Sequence, residues 1–137
     1  LDKYIGDGLM AIFGAPQPSP KDPDNAVRSA IAMQKRVRQL NAELKADGFP
    51  EISVGIGLHT GIATIGYIGS DQRSEYTAIG DTVNLASRLE SSAEGWQILI
   101  SEATGKACDE PFKIKKREPL HVKNRLQPVS LFEVKWN

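Results

Sequence analysis

The sequence lacks several features that would assign it to an oxidising compartment, a membrane or a polyanionic partner. Its one cysteine, Cys108, excludes an internal disulfide and fits a reducing compartment. Lysine plus arginine and aspartate plus glutamate both number 17, so no net charge attracts nucleic acid or an anionic membrane surface. No apolar run approaches the length of a membrane span, and no stretch resembles a signal peptide or a repeat. We therefore expect a cytoplasmic domain that binds any phosphate group at a local site.

The length of 137 residues is typical of one domain, which can bury about two-thirds of its unfolded surface. The first residue, Leu1, lies in a predicted strand and is not an initiator methionine. We therefore expect residues 1–137 to be a single partial domain of a longer protein. A regulatory domain or a membrane segment elsewhere in that protein stays an open alternative.

Helix and strand signals alternate along the chain. Asp22 followed by Pro23 matches the N-cap and the first position of a helix, and Gly48 predicts its end. The predicted elements are a hairpin over 1–14, a helix over 22–47, strands over 53–59 and 61–68, a loop over 69–75, a strand over 97–101, a helix over 102–108, and closing strands over 112–117, 120–123 and 129–136. This order predicts an α/β sandwich, in which one mainly antiparallel sheet carries helices on one face.

Some side chains in these elements are interpreted as structural. Gly55 and Gly57 share one face of a predicted strand, which lets another element approach closely. His59 at the end of that strand is interpreted as a hydrogen-bonded structural residue and not as a metal ligand. Trp96 and Trp136 are interpreted as packing residues and not as platforms on which bases stack.

The segment over 76–90, YTAIGDTVNLASRLE, combines a helix start with two polar side chains. Asp81 is predicted to cap a helix that begins at Thr82, since its carboxylate can accept from free backbone N–H groups. Asn84 and Arg88 are four residues apart and share one helix face, where an amide and a guanidinium suit an anionic ligand. A capped surface helix with both side chains in water is the alternative, and the spacing alone leaves it open.

The other informative segment lies at the start of the chain. Two apolar runs, over 1–5 and 9–13, flank the turn Gly6, Asp7 and Gly8. A carboxylate between two glycines at a sheet edge suits a hard divalent cation. Aspartate is also a common turn residue, so an ordinary hairpin turn is the alternative.

Three segments together carry a family resemblance. They read DKYIGDGLMAIFG at 2–14, VGIGLHTG at 54–61 and YTAIGDTVNLASRLE at 76–90. In this order and spacing they resemble the catalytic domain of the class III nucleotidyl cyclases, the adenylate and guanylate cyclases. The resemblance spans essentially the whole chain and implies a ferredoxin-like core shared with polymerase palm domains. That fold normally begins with a strand and two helices, which this chain lacks.

The resemblance implies conversion of a nucleoside triphosphate to a 3′,5′-cyclic monophosphate and pyrophosphate. The 3′-hydroxyl would attack the α-phosphate in line with the leaving group. Two Mg²⁺ or Mn²⁺ ions, held by two aspartates, would acidify the hydroxyl and neutralise phosphate oxygens. Asp7 matches the second of these aspartates, and the first would lie in a strand upstream of Leu1.

Lys3 and Thr77 match the two base-reading positions of the family. Lys3 would donate to an acceptor on adenine, and Thr77 would accept from the exocyclic amine. Guanylate cyclases resemble this pattern less, because they have glutamate at the first position and cysteine at the second. The pair of lysine and threonine resembles a bacterial adenylate cyclase subgroup related to bicarbonate-responsive soluble cyclases.

Three further positions match groups that bind the ribose and the phosphates. Asn84 matches the residue that orients the ribose, and Arg88 matches the arginine that stabilises developing phosphate charge. Lys123 matches the triphosphate-binding lysine. It is followed by Asn124 where the family usually has glycine, so Arg125 is an alternative for this role.

The resemblance finally implies a homodimer. In the family one subunit contributes the metal aspartates and its partner contributes the other site residues, while the loop over 69–75 reaches over the partner. The leading interpretation is an adenylate cyclase that binds ATP and uses Mg²⁺ or Mn²⁺. Guanylate cyclase and a catalytically silent module for nucleotide binding or dimerisation are the alternatives.

Overall fold

The computed structural model describes residues 1–70, 73–123 and 125–137, with the backbone alone at 68, 70 and 73–76. Within them the chain forms three helices and eight strands. The helices are α1 (Asp22–Ala46), α2 (Asp81–Ser92) and α3 (Glu102–Ala107). The strands are β1 (Lys3–Ile5), β2 (Gly8–Met10), β3 (Ile56–Leu58), β4 (Thr64–Ser70), β5 (Arg73–Ile79), β6 (Ile98–Ser101), β7 (Ile114–Leu120) and β8 (Val129–Val134).

A four-stranded sheet forms the centre of the fold, in the order β3-β6-β8-β7. Strand β3 pairs in parallel with β6, whereas the β6–β8 and β7–β8 pairs are antiparallel. Strands β1 and β2 form one antiparallel hairpin, and β4 and β5 form another. The predicted α/β class with a mainly antiparallel sheet is confirmed.

Strand β6 lies in the core, because all four of its residues are buried. Ile98 and Ile100 belong to a cluster with Val27 of α1, whereas Leu99 clusters with Leu89 of α2. Since successive residues of a strand point to opposite faces, α1 and α2 cover opposite faces of the sheet. The expectation that the helices share one face is therefore wrong.

Two buried amides of α1 hold the connection that precedes β3. Gln34 Nε2 donates to the carbonyl of Val54 (2.8 Å), and Asn41 exchanges two hydrogen bonds of 2.8 Å with the backbone of Ile52. The Val54 carbonyl also accepts from the backbone N–H of Trp96 (2.8 Å), but regular strand pairing starts only at Ile56, so β3 begins at Ile56 and not at residue 53 as predicted.

The predicted ends of α1 are partly right. Gly48 follows the helix with φ at +80°, which confirms it as the terminating glycine. The helix begins at Asp22 itself, with Lys21 at the N-cap and no side-chain cap. The Asp22 carboxylate instead accepts from the backbone N–H of Ser19 (2.6 Å), so the prediction that Asp22 caps the helix is wrong.

The strands also extend differently from the prediction. Strand β7 is continuous, with a register shift against β8 between Arg117 and Leu120, so a separate strand over 120–123 is wrong. Most of the loop predicted over 69–75 belongs to β4 and β5. The remaining residues, 71 and 72, lie outside the described part of the chain, and an arm over the partner stays a prediction.

Aromatic and thiol side chains near the sheet are packing groups. Trp136 stacks on Trp96 with the ring centroids 6.1 Å apart, and its Nε1–H donates to the Trp96 carbonyl (2.8 Å). The guanidinium of Arg38 lies 5.1 Å from the ring centroid of Trp136. Cys108 packs half-buried against the core, and burial raises the pKa of its thiol to about 11. The structural interpretation of both tryptophans is confirmed.

Candidate active site

The tip of the first hairpin presents one carboxylate to solvent. Ile5 pairs with Gly8, so Gly6 and Asp7 form the turn. Gly6 has φ at +60°, a left-handed conformation that favours glycine, and Asp7 is exposed. Carboxylate oxygens are ligands that Mg²⁺ and Mn²⁺ accept. The described residues contain no group of three or more potential metal ligands, so Asp7 fits as one ligand of an incomplete set.

A buried carboxylate joins the two predicted base-reading residues. Thr77 Oγ1–H donates to Asp2 Oδ2 (2.7 Å), and Lys3 Nζ lies 3.9 Å from the same oxygen. The side chain of Asp2 is 6% exposed and that of Lys3 is 27% exposed, while Thr77 as a whole is 3% exposed. Lys3 and Thr77, although far apart in the sequence, therefore meet at one point between β1 and β5.

The start of α2 differs from the prediction. Gly80, with φ at +118°, occupies the N-cap, and the helix begins at Asp81 with no side-chain cap. The Asp81 carboxylate is instead ion-paired with the guanidinium of Arg125. The N-cap prediction for Asp81 is wrong, because a charged partner from a distant segment competes for its oxygens. Its negative charge still lies in the first helical turn, where the helix dipole favours it.

Close packing on β3 fixes the position of α2. A Cβ atom at Gly57 would lie 2.2 Å from the backbone nitrogen of Glu90, so only glycine allows this approach, as predicted. Leu89 is fully buried on the same side of the helix. Asn84 and Arg88 are both exposed. A rigidly seated helix therefore presents an amide and a guanidinium to solvent.

The segment after β7 contains Lys123, which is predicted to bind the triphosphate. Lys123 is exposed in a turn, and Asn124, which stands where the family usually has glycine, lies outside the described residues. Arg125 is bound to Asp81 at the start of α2. Within the described part of the chain, no hydrogen bond or ion pair joins Lys123, Asp7, Asn84 and Arg88 to one another.

His59 is a hydrogen-bonded structural residue, as predicted. Its Nδ1 lies 2.7 Å from Ser101 Oγ, a hydroxyl that also accepts from the backbone N–H of Thr104. Burial lowers the pKa of His59, and the positive charge of Arg125 lowers it further. The charge of Asp81 opposes this shift, but the net effect lowers the pKa and favours the neutral imidazole.

Sequence reasoning missed the roles of two acidic residues. Asp2 directly precedes Lys3, and this adjacency was the available signal. Its bond to Thr77 depends on the approach of two hairpins, which no local pattern reports. The pairing of Asp81 with Arg125 likewise depends on the path of the chain after β7.

Residues 3–134 match the family model of the adenylate and guanylate cyclase catalytic domain. The chain belongs to this family. Adenylate cyclase 1 of Rhizobium meliloti (strain 1021) is 34% identical to this cyclase domain over 134 residues, covering 96% of the chain and 20% of the relative. The adenylate cyclase of Anabaena cylindrica is 38% identical over 144 residues, covering 98% of the chain and 28% of the relative. The domain thus spans less than a third of the length of these relatives.

Solved cyclase structures have the same fold. The adenylyl cyclase CyaB from P. aeruginosa superposes with a TM-score of 0.92 at 37% identity, covering 98% of this chain and 70% of that one. The guanylyl cyclase Cya2 superposes with a TM-score of 0.90 at 34% identity, covering 97% and 68%. In the described residues of this cyclase domain, no helix combines the length and hydropathy needed to cross a bilayer.

Proposed function

We propose that this cyclase domain is the catalytic unit of an adenylate cyclase, which converts ATP to 3′,5′-cyclic AMP and pyrophosphate. The observation that carries the proposal is the convergence of Lys3 and Thr77 on Asp2, within 3.9 Å and 2.7 Å of one carboxylate oxygen. A cation and a hydroxyl side by side can read one edge of a purine. The sequence identity of this chain to two adenylate cyclases, 34% and 38%, supports the same assignment.

The chemistry of this pair favours adenine. The ammonium group of Lys3 can only donate, which suits the unprotonated ring nitrogen of adenine and opposes the ring N–H of guanine. The Thr77 hydroxyl can accept from the exocyclic amine of adenine. Guanine has a carbonyl oxygen at that position, so both contacts become less favourable with GTP.

Helix α2 supplies the groups for the ribose and the reacting phosphate. The Asn84 amide would bind the ribose and orient its 3′-hydroxyl towards the α-phosphate. The Arg88 guanidinium would stabilise the negative charge that develops on the phosphate oxygens during in-line attack. The packing of α2 onto Gly57 supports these roles, because catalysis by fixed charges requires a preorganised frame.

The charge of the triphosphate requires further cations. Lys123, exposed after β7, would bind the β- and γ-phosphates. Asp7 would hold a Mg²⁺ or Mn²⁺ ion, with its remaining ligands from substrate oxygens, water and other protein groups. Such an ion, when bound, lowers the pKa of the attacking hydroxyl and neutralises phosphate charge.

The proposed enzyme is a head-to-tail homodimer, in which Asp7 of one subunit faces the residues of α2 from its partner. Large apolar side chains on the hairpins support an interface there: Tyr4, Ile5, Leu9 and Ile79 are each between 47% and 74% exposed. Tyr4 and Leu9 are cross-strand partners in the first hairpin, and adjacent exposed apolar groups are typical of protein–protein contacts. Such an arrangement generates two equivalent sites per dimer.

Product analysis tests the proposal. The chain, and any longer natural protein that contains it, is incubated with ATP or GTP in the presence of Mg²⁺ and then of Mn²⁺. Chromatography with mass spectrometry then identifies the cyclic product. We expect cyclic AMP from ATP at a higher kcat/KM than cyclic GMP from GTP. A preference for GTP, or the absence of both products, would contradict the proposal.

Guanylate cyclase is the second candidate, and the superposition on the guanylyl cyclase Cya2 favours it. The presence of Lys3 where guanine offers an N–H group argues against it. A catalytically silent module is the third candidate. Its support is the incomplete set of metal ligands among the residues that the structure describes, and it predicts nucleotide binding without turnover.

A further inference from the structure

We infer that Asp2 is a specificity-positioning residue of the proposed ATP site. Its carboxylate fixes the Thr77 hydroxyl with the proton turned away from the base, so that Thr77 presents only acceptor lone pairs to a purine. The inference rests on the proposed function, because it concerns how that site distinguishes adenine from guanine.

The geometry restricts the Thr77 hydroxyl to one orientation. The hydroxyl donates to Asp2 Oδ2 at 2.7 Å, a normal length for a hydroxyl–carboxylate bond. Thr77 is 3% exposed and the Asp2 side chain is 6% exposed, so little water competes for the proton. The backbone also holds Asp2, since its N–H donates to the carbonyl of Met10 (2.8 Å) across the hairpin.

This orientation decides what Thr77 can recognise. A threonine hydroxyl has one proton and two lone pairs, so alone it can face either an amine or a carbonyl. An ionised carboxylate has no proton to give, so the bond between Asp2 and Thr77 must use the threonine proton. The remaining lone pairs can accept from an amine but cannot donate to a carbonyl. Asp2 thereby converts an ambiguous hydroxyl into a reader of the adenine amine.

The same carboxylate also lies close to Lys3, whose Nζ is 3.9 Å from Asp2 Oδ2. Its negative charge attracts the Lys3 ammonium group to the same oxygen that binds Thr77. One buried acid thus places a donor and an acceptor side by side, in the order that adenine requires and guanine opposes.

Nucleotide binding without turnover tests the inference. Isothermal titration calorimetry with 3′-deoxy-ATP and 3′-deoxy-GTP, which have no nucleophile to cyclise, gives the adenine-to-guanine affinity ratio. We expect Asp2→Asn to lower this ratio about tenfold, because an amide of the same shape can donate to Thr77 and release its proton. Thr77→Val should lower the ratio by a similar factor, and the double variant should lower it no further.

The controls separate specificity from folding. Asp47→Asn makes the same chemical change at an exposed position after α1 and should leave the ratio unchanged. If Asp2→Asn weakens both nucleotides equally, or keeps the ratio, Asp2 is merely structural and the inference is wrong. If Asp2→Asn does not fold by circular dichroism, Thr77→Val decides, since an unchanged ratio there also overturns the inference. An unmodified protein that binds neither nucleotide would refute both the inference and the proposed function.

Discussion

The guanidinium of Arg125 is ion-paired with the carboxylate of Asp81 in the first turn of α2. The Asp81 side chain is 75% exposed, so the pair contributes no more than about 1 kcal/mol to stability. The ion pair makes the charge of Arg125 differ from that of Lys123. The carboxylate already compensates the positive charge of Arg125, whereas no acidic side chain of the described residues contacts Lys123.

This pairing predicts which cation binds the triphosphate. We expect Lys123→Ala to raise KM for ATP about tenfold, because it removes an uncompensated charge from a phosphate contact. Arg125→Ala should raise KM less, since Asp81 already holds this guanidinium. Steady-state kinetics of both variants measure the difference. A larger effect for Arg125→Ala would assign the triphosphate role to Arg125 instead.

Arg88→Ala should reduce kcat by a factor of about 10² to 10³, because it removes a charge that stabilises the transition state. Arg88 is exposed, so its loss should change the free energy of unfolding by less than about 0.5 kcal/mol. Arg36→Ala is the matched control, since that guanidinium is also exposed and its ion pair with Glu43, at 3.5 Å, lies on the surface of α1. A kcat for Arg88→Ala equal to that of the control would remove Arg88 from the catalytic mechanism.

Gly57→Ala should destabilise the domain by about 1–3 kcal/mol or more, because its methyl group would collide with the backbone of α2. The new Cβ would lie 2.2 Å from the Glu90 nitrogen, and backbone cannot rotate away as a side chain can. Gly66→Ala is the control, since a Cβ there meets no atom within 4 Å. Urea unfolding compares the two variants. Equal free energies of unfolding would show that α2 does not pack on β3 as described.

Features with a local cause were predictable from the sequence. Gly48 ends α1 because a left-handed residue is needed there, and Gly57 allows α2 to approach β3 because it has no Cβ atom. The alternation of apolar residues likewise predicted most of the strands. These signals are local, because each one depends on the geometry of a single element.

Features that depend on distant partners were not predictable in the same way. Asp81 has the sequence signature of an N-cap, but Arg125 occupies its carboxylate. Asp2 gives no local signal of its bond to Thr77, which forms only when two hairpins meet. The same holds for the connection before β3, where Gln34 and Asn41 of α1 bind the backbone of Val54 and Ile52. The family resemblance thus predicts candidate site residues, but it gave no signal of the acids that contact Thr77 and Arg125.

The stability contributed by His59 should decrease as the pH falls. Burial lowers the pKa of His59 in the folded state below its ordinary value of about 6.5, so the folded protein favours the neutral ring. This contribution is fully present above about pH 6.5 and is lost as the pH falls towards the folded-state pKa. We expect the difference in unfolding free energy between the unmodified protein and His59→Gln to shrink from about pH 7.5 to about pH 5.5. His121→Gln, at an exposed position, controls for the loss of a histidine from the unfolded chain.

Mixing two inactive variants tests the proposed sharing of the site between subunits. Asp7→Ala removes the residue proposed to bind the metal ion, and Arg88→Ala removes the residue proposed to bind the reacting phosphate. Each homodimer should therefore be inactive. In a mixed dimer, one of the two sites combines Asp7 from one subunit with Arg88 from the other. If subunits exchange freely, an equimolar mixture contains about half mixed dimers with one intact site each, so about a quarter of the unmodified activity should return.

Refolding the variants together from urea ensures exchange, and cyclic AMP formation is the measurement. Mass spectrometry checks that mixed dimers form. If they form and the activity stays at the level of the separate variants, one subunit contributes both residues to each site.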